Sequence, residues 1–248
     1  LIYLIHEEGI VLHHQLYVQK FIHRVQAKVF FFTMNALGRP YRRDRRLFKR
    51  LLGRLMWWHI KQSTVAAVGH YPGCLGSLRD GGYKKPVFLQ TQVGVDESLF
   101  DASAQLREQA RRDLNVGSRT VIGYCGRLTD DKGVLELVDV CCELIKKGEQ
   151  LFVLLVGNGD LKADIEAIFL ANNLNSSVFK ITEFVDQARV PYYMNCMDIF
   201  VLGSKTTEKW IDTFPLVTVQ AQSCGLPVLA SDSASLPWQL SDTALFFK

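Results

Sequence analysis

Apolar, β-branched runs punctuate the chain at intervals of about 20 to 30 residues, and the segments between them carry apolar positions at helical spacing. In the second half the runs are Val121–Tyr124, Leu151–Val156, Val178–Ile181, Asp198–Leu202 and Pro227–Ala230. Strands this apolar suit a parallel sheet covered on both faces, because polar alternation disappears when neither face meets water. Leu135, Val138, Cys142 and Ile145 mark a helix between two of these strands, and Lys146-Lys147-Gly148 supplies a basic last turn and a glycine stop. The first half repeats the rhythm more loosely. Strands are expected at Leu1–Ile5, Lys28–Thr33, Thr64–Gly69 and Pro86–Gln90, with helices near Val11–Arg24 and Asp44–Trp58. The pattern predicts an α/β protein with two Rossmann-like parallel sheets, the first of them incomplete.

From Gly94 to Ser118 the sequence holds one charged helical segment, Ala104–Leu114, and no strand, which is how a connection between domains looks. The expected division is therefore a partial first domain over 1–96, a linker over 97–118 and a near-complete second domain over 119–248. A length of 248 residues is short for two whole α/β domains. The chain opens on Leu1 inside an apolar run, without a charged leader or a cleavage site, so a fragment is expected.

Composition narrows the class of protein. With 48% hydrophobic and 22% charged residues the chain is ordinary for a soluble protein, and no apolar run approaches the ~20 residues of a membrane span. The six cysteines lack paired CxxC spacing and neighbouring histidines, which argues against a zinc site or a disulfide framework. They read as reduced, buried thiols of a cytoplasmic protein. The net charge of +4 is mild but concentrated, with Arg39, Arg42, Arg43, Arg45, Arg46, Lys49, Arg50 and Arg54 close together. Leu47, Phe48, Leu51, Leu52, Leu55, Trp57 and Trp58 interleave with these charges, so 39–61 reads as an amphipathic helix. Its apolar side either packs on the sheet or rests, with its Arg, Lys and Trp, on an anionic leaflet at the inner membrane face. No recognition motif favours nucleic acid.

The candidate chemistry begins at Gly123-Tyr-Cys-Gly-Arg127-Leu-Thr-Asp-Asp-Lys132-Gly133, which leaves a strand, turns through glycine and enters a helix. A strand end, backbone donors and two cations make an anion site. Arg127 offers a planar fork of donors and Lys132 a mobile point charge, a pair suited to a diphosphate whose charge grows as its bond to a sugar breaks. A second motif, Asp212-Thr-Phe214-Pro215-Leu-Val-Thr-Val-Gln220-Ala-Gln-Ser-Cys-Gly225-Leu-Pro227-Val228, follows another strand and opens another helix.

Together these motifs resemble the family-4 glycosyltransferases of the GT-B clan, whose signature carries two acidic residues separated by seven. Asp212 and Gln220 occupy the two acidic positions. The resemblance extends to Val156-Gly157-Asn158-Gly159, Asp198 through Ser204 and Gly94-Val95-Asp96, and is strongest from 119 to 238. It implies a GT-B-like fold and a retaining, metal-independent hexosyltransferase that moves a sugar from a nucleotide diphosphate sugar to a glycan or lipid-linked acceptor. Arg127, Lys132 and Asp212 are the implied catalytic set. Gly126, Gly157, Glu183, Phe214, Pro215, Leu216 and Gln220 are the implied donor contacts, with backbone amides near Phe214 aimed at the diphosphate. His6, Glu7, Glu8 and Asn35 are the implied acceptor-side residues. No cofactor and no metal are expected, the nucleotide sugar being a substrate.

The chain departs from the family pattern at several points. Asp212 is a methylene shorter than the usual Glu, and Gln220 is a neutral acceptor for ribose hydroxyls. Glu183 stands where relatives carry glycine near the base, and is either a base-selecting residue or a solvated strand-end glutamate. Asn35 lies nearest the place of a histidine and cannot act as a base. Two alternatives stay open: a non-catalytic protein that binds a nucleotide sugar or glycan, and an epimerase-like enzyme acting on UDP-sugars.

Overall fold

The structure is a computed structural model, and it describes residues 2–4, 15, 17–19, 21–24, 28–34, 47–91, 93–183, 185–207 and 210–248. The chain forms two compact units, residues 1–92 and 93–248. The expected acceptor-side residues His6, Glu7, Glu8 and Asn35 lie outside the described residues.

The first unit has a parallel sheet in the order β1 (Ile2–Leu4), β2 (Val29–Thr33), β3 (Ala66–Gly69) and β4 (Val87–Leu89). All four fall inside the runs expected from sequence. Helix α1 (Leu47–Ser63) turns Trp57 and Ile60 into a core with Val29, Phe31, Ala67, Leu78 and Tyr83. The Trp57 indole N–H donates to the Gly81 carbonyl at 2.5 Å, which satisfies the ring's polar edge. Helix α2 (Pro72–Asp80) begins on a proline, whose missing N–H is harmless in a first helical turn.

The expectation that the apolar side of α1 packs on the sheet holds only for its last turns. Leu47, Phe48, Leu51, Leu52, Leu55 and Trp58 are exposed, Phe48 at 75%. A helix with apolar residues on most of its circumference cannot bury them all against one sheet.

The second unit carries a six-stranded parallel sheet in the order β10 (Ala244–Phe247), β9 (Val228–Ser231), β8 (Ile199–Leu202), β5 (Thr120–Cys125), β6 (Leu151–Val156) and β7 (Phe179–Thr182). The chain winds outward from β5 to β7, returns to lay β8 beside β5, and winds outward again. The gap between the carboxyl ends of β5 and β8 is thus a topological switch point, where open α/β sheets form ligand crevices. All six residues of β6 are buried, as its unbroken Leu-Phe-Val-Leu-Leu-Val run requires. Helix α4 (Val134–Lys146) buries Val134, Val138, Cys141 and Cys142, one stripe at helical spacing. Helices α5 (Lys162–Ala171), α6 (Val190–Cys196), α7 (Leu216–Ser223) and α8 (Leu236–Leu240) follow successive strands.

The segment 97–118, expected as a linker, is built into this unit. Helix α3 (Ala104–Asp113) is capped by Ser103, whose hydroxyl accepts from the Leu106 amide at 3.2 Å. Arg107 and Arg111 then reach the two oxygens of Asp198, the second at 3.0 Å, and the Val121 amide donates to the same carboxylate at 2.8 Å. Partial burial works against ionisation here, but the Val121 amide and the two guanidiniums outweigh it and hold the Asp198 carboxyl below its usual range. Three elements distant in sequence are fastened at one carboxylate.

Candidate functional site

The switch point is shaped by close backbone approaches that only glycine permits. Gly157 has φ +142°, and a Cβ there would lie 1.9 Å from the Gly126 carbonyl oxygen. A Cβ on Gly133, at φ +64°, would fall 2.2 Å from the Gly203 oxygen. The loops after β5, β6 and β8 can therefore meet with their main chains in contact.

Beneath them the buried Tyr124 hydroxyl donates to the Arg127 carbonyl at 2.5 Å, fixing the turn that carries Arg127. Burial pushes the Tyr124 phenol above its usual pKa and the neighbouring Cys125 thiol up to about 12, so both stay protonated at neutral pH.

A cavity of about 460 Å³ opens at this place, with Gly126, Lys132, Pro215, Leu216 and Gln220 on its wall. These are five of the residues expected from sequence, brought together from strand ends and a helix start 80 and more residues apart. Tyr124, Val185, Gln187 and Val217 also line it. The helix α7 opens there: Thr218 N–H returns to the Pro215 carbonyl at 3.1 Å, and no side chain caps the start. Among the described residues the amides of Leu216 and Val217 have no hydrogen-bond partner, so they are open donors at the positive end of the helix.

The cations sit on the rim. Lys132 Nζ lies 2.5 Å from Asp212 Oδ2, with both side chains nearly buried, and the Ser204 hydroxyl donates to the same oxygen at 2.7 Å. The Asp212 carbonyl accepts from the Ser235 hydroxyl at 3.0 Å, which holds its backbone. Arg127 pairs with Asp131 at 3.2 Å and is more than half exposed. The indole of Trp210 faces both cations, at 4.9 Å from Arg127 Cζ and 5.5 Å from Lys132 Nζ. Lys205 bonds Asp130 at 2.8 Å and Glu136 at 2.5 Å, tying the β8 loop to the turn that precedes α4 and to the helix's first turn.

The remaining expected residues fall beside the cavity. Arg127, Asp212 and Phe214 are next to its wall, and Gly157 supports Gly126 from behind. Glu183 is off the wall and exposed; its ion pair with Lys162, at 2.8 Å, holds its carboxyl below the usual range. Sequence reading did not single out Trp210 or Tyr124. Trp210 sits in a loop without periodicity, and Tyr124 looks like any apolar strand residue.

Comparison with known proteins shows the family and the fold. The profile of the Glycosyl transferases group 1 family matches residues 119–246, just over half of the chain, and the chain belongs to this family. The amylovoran biosynthesis glycosyltransferase AmsK of Erwinia amylovora is 27% identical over 148 residues, covering 59% of this chain and 34% of that protein. The O-antigen biosynthesis glycosyltransferase WclY of Escherichia coli is 23% identical over 233 residues, covering 92% of this chain and 61% of that protein. The crystal structure of Anabaena Alr3699/HepE in complex with UDP superposes with a TM-score of 0.79 at 17% identity, covering 100% of this chain and 65% of that one. The chain thus spans from about a third to just under two thirds of these relatives. The two parallel-sheet units have the GT-B-like fold that the sequence motifs implied.

Proposed function

We propose that this chain carries the donor-binding half and part of the acceptor side of a retaining family-4 glycosyltransferase. The protein moves a hexose from a nucleoside diphosphate to a glycan or lipid-linked acceptor. The observation that carries this is the convergence of Gly126, Lys132, Pro215, Leu216 and Gln220 on one cavity at the switch point. The open amides of Leu216 and Val217 and the Lys132 ammonium suit the diphosphate, and the Gln220 carboxamide suits ribose hydroxyls.

In the reaction the C1–O bond to the β-phosphate breaks while the acceptor oxygen bonds C1 on the same face. The acceptor hydroxyl gives its proton to the departing phosphate oxygen. Arg127, Lys132 and the start of α7 stabilise the charge that gathers on the diphosphate, the role that a divalent metal fills in other transferases. Asp212, once Lys132 turns to phosphate, accepts from hydroxyls of the transferred sugar. UDP, bound by the HepE neighbour, is the first nucleotide to try.

The test is calorimetric titration of the 248-residue chain with UDP, GDP and ADP and their sugars, repeated with Arg127→Ala and Lys132→Ala and in EDTA. One nucleoside diphosphate is expected to bind in EDTA and to be lost in both variants; binding indifferent to both substitutions sinks the donor assignment. The anomeric configuration of the product, read by NMR with an acceptor supplied, decides retention. Donor binding without transfer or hydrolysis would instead favour the non-catalytic alternative.

A specific observation also favours a membrane-surface role for the first unit, in a protein working at the cytoplasmic face. Leu47, Phe48, Leu51, Leu55 and Trp58 are exposed on the helix that bears Arg50 and Arg54. No described helix is long and apolar enough to cross a membrane. Co-flotation with anionic but not neutral vesicles, lost in Phe48→Asp/Leu51→Asp, is the expected result.

A further inference from the structure

Trp210 presents one indole to both cations of the site. Arg127 Cζ stands 4.9 Å and Lys132 Nζ 5.5 Å from its ring centroid, within the range of a cation–π attraction. The ring is anchored through its own backbone: Thr207 Oγ1 accepts the Trp210 N–H at 2.9 Å, and the Thr207 N–H donates to the Trp210 carbonyl at 2.8 Å. Two residues later the same loop delivers Asp212 to Lys132.

Each cation therefore has two kinds of partner. Asp131 and Asp212 occupy N–H donors, which an incoming diphosphate must take over. The indole face attracts the charge without consuming a hydrogen bond, so it holds the cations while their donors change hands. Long Arg and Lys side chains lose much rotamer freedom when fixed, and a shared aromatic surface removes part of that loss before the ligand arrives.

We infer that Trp210 is a positioning residue for the donor diphosphate, keeping Arg127 and Lys132 in reach of the phosphates as Asp131 and Asp212 release them. This rests on the donor reading given above. At 39% exposure the ring is open to solvent, so the approach of a ligand changes its surroundings.

The experiment compares the wild-type chain with Trp210→Ala and Trp210→Phe, using UDP, GDP and ADP and the matching nucleosides. For the diphosphate that binds, Trp210→Ala is expected to weaken affinity roughly five- to thirtyfold and Trp210→Phe less than about threefold, as loss and retention of a cation–π surface predict. Nucleoside affinity is expected to stay unchanged in both. Trp210 is one of four tryptophans, and the change in tryptophan emission on diphosphate addition is expected to vanish in Trp210→Phe. Equal losses for diphosphate and nucleoside, undiminished diphosphate affinity in Trp210→Ala, or an emission change that persists in Trp210→Phe would overturn the inference. The emission measurement decides alone should Trp210→Ala fail to fold. Failure of the wild type to bind any of the three diphosphates removes the donor reading and this inference together, whereas the variant results bear on Trp210 only.

Discussion

Lys132 Nζ and Asp212 Oδ2 lie 2.5 Å apart across the mouth of the switch-point cavity, joined from residues 80 apart in sequence. With both side chains almost out of solvent, removing the lysine leaves a nearly buried carboxylate whose remaining side-chain hydrogen bond, among the described residues, comes from the Ser204 hydroxyl. Lys132→Ala is expected to lower stability by about 1–3 kcal/mol in urea unfolding. Arg127→Ala breaks a solvated pair and is expected to change it by less than about 0.5 kcal/mol. Equal stability losses in the two variants would refute a special cost of unpairing Asp212.

Asp198 supplies the pH dependence. Its folded-state pKa is lowered by the Val121 amide and by Arg107 and Arg111, against the opposing effect of burial. The unfolded state therefore takes up this proton first as pH falls. The stabilisation is complete above the ordinary aspartate value of 3.8 and disappears as pH drops from there through the lower folded value. Asp198→Asn is expected to cost roughly 1–3 kcal/mol at neutral pH by removing the charge that Arg107 and Arg111 share, although both keep backbone carbonyl acceptors, and to flatten the acid limb of the stability curve. An unchanged acid limb, followed by circular dichroism, would count against the clamp.

At Gly157 the constraint is steric. Alanine would place its Cβ 1.9 Å from the Gly126 oxygen and adopt a φ of +142°. Gly157→Ala is expected to lose roughly 3 kcal/mol or more of stability, or to displace the Gly126 turn and lose donor binding. A variant with wild-type melting and affinity would refute the close approach.

Gln220 offers a gain rather than a loss. On the proposed donor reading, Gln220→Glu would give the ribose diol a charged acceptor and is expected to raise nucleotide affinity by ~1–2 kcal/mol, or about five- to thirtyfold. Gln220→Ala is expected to weaken it. Calorimetry on both variants checks the assignment, which fails if Gln220→Glu and Gln220→Ala bind alike.

Much of this was legible in the sequence. The Leu151–Val156 run announces a strand buried on both faces, and Arg127, Lys132 and Pro215 follow strands in the order that an α/β crevice demands. Strand β10 was missed because Ala244–Phe247 is short, lies at a sheet edge and half-exposes its residues. The segment 97–118 looked like a linker because its polar helix holds on through Arg107 and Arg111, and the carboxylate they seek lies 91 and 87 residues away. Side-chain reach across the fold, as with Glu183 turning to Lys162 or Trp210 covering two cations, leaves no periodic trace along the chain.

Between β8 and α7 the chain brings Ser204, Trp210 and Asp212 to the cation cluster beside the cavity. The described residues of this stretch take no part in β-pairing, so substitutions there that spare Gly203, Ser204, Trp210 and Asp212 leave the strand register undisturbed. On the proposed donor reading, editing this one stretch changes what surrounds the two cations while the strand scaffold beneath stays as it is.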